Sequence, residues 1–394
     1  MTRVLKTIAG GLALGMGLAL GSAQAQEPIR IGVIETLSGP SAVLGQHARD
    51  GFLLAVRQLG GRMAGREVQV TVVDDELKPD VAVQRVQTML DRDKVDFVVG
   101  PIFSNVLQAI HAPVVNSQRA FLISANAGPS TYAGRGCHEN FFVTSYQNDQ
   151  VHEVLGAYAQ SRNLRRVFLM TPNYQAGRDA MAGFKRHFRG EIVDEIFTPL
   201  GHLDFAAELA RIGSSNADGL FTFMPGGMGV NLVRQYRQAG LVQRVPFLSA
   251  FTVDESTLPA QQDAAIGMLA GMTWAPNMDN PQNRKFVADF EAAFGYVPGS
   301  YAMQAYDAAM LIDSAARATG GNLSNRDAVR AALRKADFVS LRGKFRFANN
   351  HYPIQDFYTV RAAKRADGKF QTEIVDRVFT DYTDVYAAQC QMRW

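Results

Sequence analysis

Two stretches of small polar residues offer the clearest chemistry in this chain. Gly100-Pro101-Ile102-Phe103-Ser104-Asn105 leaves an apolar run and opens a helical pattern, and Ser124-Ala125-Asn126-Ala127-Gly128-Pro129-Ser130 leaves the next run. In parallel sheets such turns lie at the carboxyl ends of strands, where ligands bind. A helix that starts there presents free N–H groups and partial positive charge, so a carboxylate can be held without Lys or Arg. The structural alternative is that Ser104 only caps its helix, contributing about 0.5–2 kcal/mol.

Catalytic signatures do not appear in the sequence. There is no G-x-x-x-x-G-K-[ST] phosphate loop, no G-x-S-x-G elbow and no H-E-x-x-H pair, and Gly226-Gly227-Met228-Gly229 lacks dinucleotide spacing. The seven histidines (His47, His111, His138, His152, His187, His202 and His351) show no ligand spacing and are expected to be mostly solvated or satisfied at the surface. Asp74-Asp75 and Asp254-Glu255 are expected to be solvated strand or loop ends rather than acid–base pairs. No catalysis, metal or cofactor is expected.

The elements that must position the two turns follow from periodicity. Strands are expected at Ile29 to Ile34, Val68 to Val73, Phe97 to Val99 and Ala120 to Ile123, alternating with helical patterns that begin near Ala48, at Pro79 and after Ser104. The alternation then restarts. Helices over Val151 to Gln160, Gly177 to Phe188, Phe205 to Ile212 and through Leu232 and Tyr236 are interleaved with strands at Val167 to Met170, Ile192 to Phe197, Leu220 to Phe223 and near Phe247. Three further helices (Pro281 to Phe294, Ser300 to Thr319, Ser324 to Lys335) precede a strand-like tail. Two successive βα sets predict two similar domains, each a parallel sheet covered by helices, with the chain crossing between them more than once.

The chain has 394 residues, 40 Lys+Arg against 37 Asp+Glu, and 47% hydrophobic residues, which suits two globular domains. The basic residues are scattered, so no nucleic-acid partner is expected. Arg3 and Lys6 precede an apolar run from Ile8 to Leu20 and then Ala23 and Ala25, the pattern of a signal peptide cleaved after Ala25. That run is shorter than the roughly 20 residues of a spanning helix. No cysteine lies near the cleavage point, so no lipid anchor is expected, and the exported chain is nearly neutral. An oxidising compartment permits a disulfide between Cys137 and Cys390, two buried thiols being the alternative.

In the order of its motifs the chain resembles the leucine/isoleucine/valine-binding family of periplasmic solute receptors. The resemblance rests on Ile29-Arg30-Ile31-Gly32-Val33-Ile34 leading to Leu37-Ser38-Gly39-Pro40, then Gly45, Asp50-Gly51, Asp74-Asp75, Pro79, Val99-Gly100-Pro101, the Ser124 turn, Tyr174 with Gly177, and Tyr301 to Asp307 with Ala305-Tyr306-Asp307. It implies the type I periplasmic-binding-protein fold, an α/β architecture of two doubly wound parallel-sheet domains joined by a three-crossover hinge. Residues 1–25 would be the leader, 26–143 with 275–348 the first lobe, and 144–274 with 349–394 the second. The resemblance also implies a monomeric periplasmic receptor that delivers a small ligand to an ABC permease in the inner membrane.

Family binding positions carry over to Phe103 and Ser104, to Asn126, Ala127 and Gly128, to Tyr174, and to Met224 and Pro225 beside Phe223. Leu44 stands where the family often has an aromatic residue, and Phe251 where it keeps the glutamate that pairs with an amino acid's ammonium. A buried ammonium needs an anionic or multiply accepting partner. Phe251 offers none and favours a flat apolar ring. The tail Asn350-His351-Tyr352-Pro353-Ile354-Gln355-Asp356-Phe357-Tyr358 also resembles members that bind benzoate-type acids. The expected ligand is therefore a small aromatic carboxylate. The alternatives are a branched-chain amino acid or amide, and a ligand-sensing regulatory module of the same fold.

Overall fold

The computed structural model describes Thr2 and residues 27–393, so the expected leader and its cleavage point lie outside the described residues. The first unit runs β1 (Ile29–Glu35), α1 (Ala42–Gln58), β2 (Arg62–Met63), β3 (Arg66–Asp74), α2 (Pro79–Asp91), β4 (Phe97–Val99), α3 (Ser104–Val115), β5 (Phe121–Ser124) and β6 (Phe141–Val143). The second runs α4 (Gln150–Ser161), β7 (Arg166–Pro172), α5 (Gln175–His187), β8 (Glu191–Thr198), α6 (Ala206–Ser214), β9 (Gly219–Thr222), α7 (Gly227–Gln238), β10 (Phe247–Ser249), α8 (Leu258–Gln261) and β11 (Leu269–Met272). Helices α9 (Pro281–Phe294), α10 (Ser300–Ala318) and α11 (Arg326–Lys335) follow, then β12 (Arg346–Phe347), β13 (Pro353–Lys364) and β14 (Phe370–Tyr382).

The strands form two sheets. The first has the order β2-β3-β1-β4-β5-β6, parallel apart from the short hairpin strand β2. The second has the order β12-β13-β11-β10-β9-β7-β8, with β14 paired to β13; β13 runs antiparallel to each of its neighbours β11, β12 and β14. β1, β4 and β5 are almost wholly buried runs of β-branched and aromatic residues, as strands covered on both faces must be. Each sheet reverses its strand order once, between β1 and β4 in the first and between β7 and β9 in the second. Such reversals open a crevice at the carboxyl ends of the strands.

Helix α10 returns to the first unit and packs along α1. Gly51 permits this, since a Cβ there would lie 2.1 Å from the Ala302 carbonyl oxygen. The chain thus passes between the units three times: after β6, after β11, and between α11 and β13. Arg342 fixes two of these passages. Its guanidinium donates to the carbonyls of Thr144 (2.5 Å) and Ser145 (2.9 Å), to Gln355 Oε1 (2.7 Å) and to Asp307 Oδ2 (3.0 Å). Cys137 and Cys390 are joined by a disulfide with their Cα atoms 5.7 Å apart, tying the tail to the loop before β6.

Several sequence expectations need correction. The periodicity passes over β6 and β11, three and four residues long, and β14. Helix α11 begins at Arg326 rather than Ser324, with Asn325 as its cap accepting from Ala328 N–H. Four of the seven histidines (His47, His111, His152, His351) are buried, not surface groups, and burial pushes each down to about 3, so they are neutral packing residues. Asp75, Asp254 and Glu255 are likewise buried rather than solvated. Among the described residues no helix is long and apolar enough to cross a membrane.

Candidate functional site

Side chains following the carboxyl ends of strands in both sheets converge between the two units. Phe103 and Ser104 follow β4, Asn126 follows β5, Tyr146 follows β6, Tyr174 follows β7, Phe223 follows β9 and Phe251 follows β10. All seven are buried.

The rings form two strings. Phe103 lies 6.0 Å from Tyr174, which lies 6.2 Å from Phe223 at an interplanar angle of 20°. Tyr146 stacks on Phe251 at 5.3 Å, and Tyr301 of α10 lies 5.4 Å from the same ring. Both strings join residues of the first unit to residues of the second. His152 backs Phe223 edge-on at 5.1 Å.

A polar pole sits beside the Phe103 string. Phe103, in extended conformation, is the cap of α3, and Ser104 is the first residue of that helix; no side chain caps its amides. Ser104 therefore does not act as the cap. Its Oγ instead accepts from Asn148 Nδ2 at 3.1 Å. The amide occupies a lone pair of the hydroxyl, leaving its proton for an acceptor elsewhere. Asn148 Nδ2 also donates to Asp179 Oδ2 at 3.0 Å, and Asp179 accepts from Ser130 N–H (3.1 Å), Ser130 Oγ (2.7 Å) and Gln175 Nε2 (2.8 Å). Ser130 belongs to the first unit and Asp179 to α5 of the second, so the hydroxyl at α3 is wired to a bond that spans the units.

The turn after β5 serves a different end from the expected one. Ala127 N–H donates to the Pro101 carbonyl at 3.3 Å and Gly128 N–H to Asn148 Oδ1 at 3.0 Å, so both amides tie the turn together. A Cβ on Gly128 would lie 1.9 Å from the Tyr146 carbonyl oxygen, which explains glycine there. Asn126 Nδ2 donates to the Ile102 carbonyl at 2.8 Å, and its Oδ1 accepts from the Tyr146 hydroxyl at 3.4 Å. The first-turn amides of α3 are thus free to meet an anion, whereas those of Ala127 and Gly128 are not.

Three carried-over positions, Met224, Pro225 and Leu44, take no part in the ring strings. Met224 packs in the second unit's own core with Phe168, Leu232 and Val253, and its N–H donates to Thr252 Oγ1 at 2.8 Å. Phe223 takes the place beside Tyr174 instead, a shift of one residue. Pro225 is buried next to it, and Leu44 lies against the Gly226 turn, 3.4 Å from where its Cβ would be. Residues outside the expected binding positions complete the site: Asn148, Asp179, Tyr146, Asp254 and Tyr301. Tyr301 carried a signal as the start of the Tyr301 to Asp307 motif, and Asp254 as half of an acidic pair; Asp179 falls inside the helical pattern of α5, and Tyr146 and Asn148 sit in a loop without periodicity.

Two buried carboxyls border this region. Glu35, ending β1, has neither oxygen paired among the described residues, and burial, then the Asp75 charge, pushes its pKa strongly up. Asp254 is pushed up to about 6 by burial. None of the gathered side chains is cationic.

Comparison with known proteins agrees with this geometry. The model of the family described as periplasmic binding protein matches residues 28–369. A solute-binding protein of an ABC transporter from Rhodopseudomonas palustris, solved in complex with benzoate, is 28% identical, superposes with a TM-score of 0.87, and aligns over 93% of this chain and 100% of its own. A second one from R. palustris, in complex with 4-hydroxybenzoate, is 26% identical with a TM-score of 0.83 over 90% of this chain and 98% of its own. A Leu/Ile/Val-binding protein homolog 6 from Brucella melitensis is 27% identical over 89% of this chain and 91% of its own length. With two switch-point crevices facing each other across three crossovers and a match over most of its length, the chain belongs to the periplasmic binding protein family.

Proposed function

We propose that this protein is the extracytoplasmic receptor of an ABC importer and closes its two lobes on a small aromatic carboxylate of the benzoate class. The observation that carries the proposal is the pair of ring strings, Phe103–Tyr174–Phe223 and Tyr146–Phe251–Tyr301, drawn from both lobes beside a hydroxyl and amide pole without any cation. A flat ring gains about 0.5–1.5 kcal/mol per aromatic partner beyond area burial. Its carboxylate would meet the Ser104 hydroxyl and the first-turn amides of α3, where the helix dipole favours negative charge.

Phe103, Ser104, Tyr174 and Phe251 would touch the ligand, with Asn126, Ala127 and Gly128 shaping the turn beneath it and Leu44, Met224 and Pro225 supporting the walls. Residues 26–143 with 275–348 would form one lobe, and 144–274 with 349–394 the other. The receptor would be exported by its leader, act as a monomer without catalysis, and hand its ligand to an inner-membrane permease. Likeness to solute-binding proteins solved with benzoate and 4-hydroxybenzoate supports the ligand class.

A branched-chain amino acid is the second reading, favoured by the unpaired oxygen of buried Asp254 and by the likeness to the Brucella protein. Calorimetry with benzoate and leucine separates the two. The proposal expects heat and saturation with benzoate and none with leucine; the reverse pattern would replace it.

A further inference from the structure

Asp254 lies in the loop that carries Phe251, five residues beyond β10, and is fully buried. One of its oxygens is committed: Oδ1 accepts from Ser256 N–H at 2.8 Å and from the Ser256 hydroxyl. The loop around it is fixed as well, since Asp254 N–H donates to Thr257 Oγ1 at 3.1 Å and Thr257 Oγ1 donates to the Thr252 carbonyl at 3.1 Å. Oδ2 has no hydrogen-bond partner among the described residues. A buried carboxylate oxygen without a donor carries a desolvation penalty that a partner arriving with the ligand would remove.

Two tyrosines, Tyr146 and Tyr301, tie Asp254 to the ring site. Burial raises the Tyr301 pKa strongly, followed by the Asp254 charge and then by Tyr146 and Tyr174. Burial, then Tyr174 and Asp254, does the same for Tyr146. The Tyr301 and Tyr146 hydroxyls therefore lie within electrostatic reach of Asp254 and of Tyr174, yet none of the three hydroxyls reaches Asp254 within hydrogen-bond distance among the described residues. Tyr146 and Tyr301 flank Phe251, a wall of the ring site, and Tyr174 belongs to the other string. Asp254 makes no hydrogen bond to the Ser104–Asn148–Asp179 pole, which would take the carboxylate, and Tyr174, which feels the Asp179 charge, stands between the two.

We propose that Asp254 Oδ2 accepts a hydrogen bond from a ring hydroxyl of the ligand, so that the receptor selects hydroxylated benzoates over benzoate itself. The proposal rests on the ring-acid reading above. An unsubstituted ring would present only C–H to this oxygen, whereas a phenol supplies the missing donor and can accept in turn from the neighbouring tyrosines. Ser104 and the α3 amides would fix the acid end for both ligands, so the difference between them isolates the hydroxyl.

Calorimetry with benzoate, 2-, 3- and 4-hydroxybenzoate and leucine, on the native sequence and on Asp254→Asn, tests it. At least one hydroxybenzoate should bind about tenfold or more tightly than benzoate. In Asp254→Asn, which turns an acceptor into a mixed amide, that ratio should fall to within about threefold. Benzoate binding as tightly as every hydroxybenzoate would overturn the subsite while leaving the ring-acid reading standing. An unchanged ratio in Asp254→Asn would do the same. Leucine binding with no ring acid bound would overturn the functional reading itself, and the subsite with it.

Discussion

Ser104 shows how much a single hydroxyl depends on groups remote in sequence. The strand-to-helix turn that carries it was legible, because an apolar run ending in Gly-Pro and followed by Ser-Asn announces a helix start at a strand end. The orientation of its hydroxyl was not, since that is set by Asn148 from a crossover loop, itself held by Asp179 on α5. Ser104→Ala should weaken binding of the cognate ring acid by about 10- to 100-fold, the loss of one hydrogen bond to a charged group. Asn148 keeps its bond to Asp179 in that variant, so thermal unfolding of the unliganded protein should barely change. Calorimetry showing undiminished affinity would remove Ser104 from the grip. The residue-level misreadings share one cause: histidines and acidic pairs were judged by type, whereas their burial is decided by which elements later pack over them.

At the scale of elements, the loop from Phe251 to Thr257 combines wall and support. Glu255 accepts from Thr372 N–H (2.6 Å) and Thr372 Oγ1 (2.7 Å), tying the loop to β14. Burial first, then the Asp254 charge, pushes Glu255 up from 4.5 to about 7. The folded state thus holds this proton more tightly than the unfolded chain does. The linked stability is fully present below about pH 4.5 and is lost as pH rises through 7. Glu255→Gln keeps an acceptor for Thr372 and does not titrate. Its stability advantage over the native sequence should therefore grow between pH 5 and pH 8, reaching at most about 3 kcal/mol. Denaturant unfolding at the two pH values would measure it, and a difference independent of pH would contradict the assignment. Long strands and helices were legible here because their periods persist; Pro281–Phe294 was read to the residue. β6 and β11 were not, being three and four residues of core with no room for a period to show.

For the whole molecule, the repeated βα alternation was enough to foresee two parallel sheets and repeated crossings, since sequential apolar runs separated by helices leave few other topologies. What alternation could not supply is how the two sheets face each other. That depends on long-range contacts: Arg342 gathering two crossovers, Ser130 reaching Asp179, and the disulfide fastening the tail near β6. In this arrangement Phe103 and Tyr174, from opposite lobes, stand 6.0 Å apart, and a ligand that touches both favours the joined state over an open one. The most direct measurement is mass spectrometry of the small molecule released on denaturing protein purified from cells grown with a mixture of aromatic acids and amino acids. Recovery of an aromatic monocarboxylic acid, chemically unchanged and near one per chain, is the predicted result; recovery of an aliphatic amino acid in its place would contradict the account.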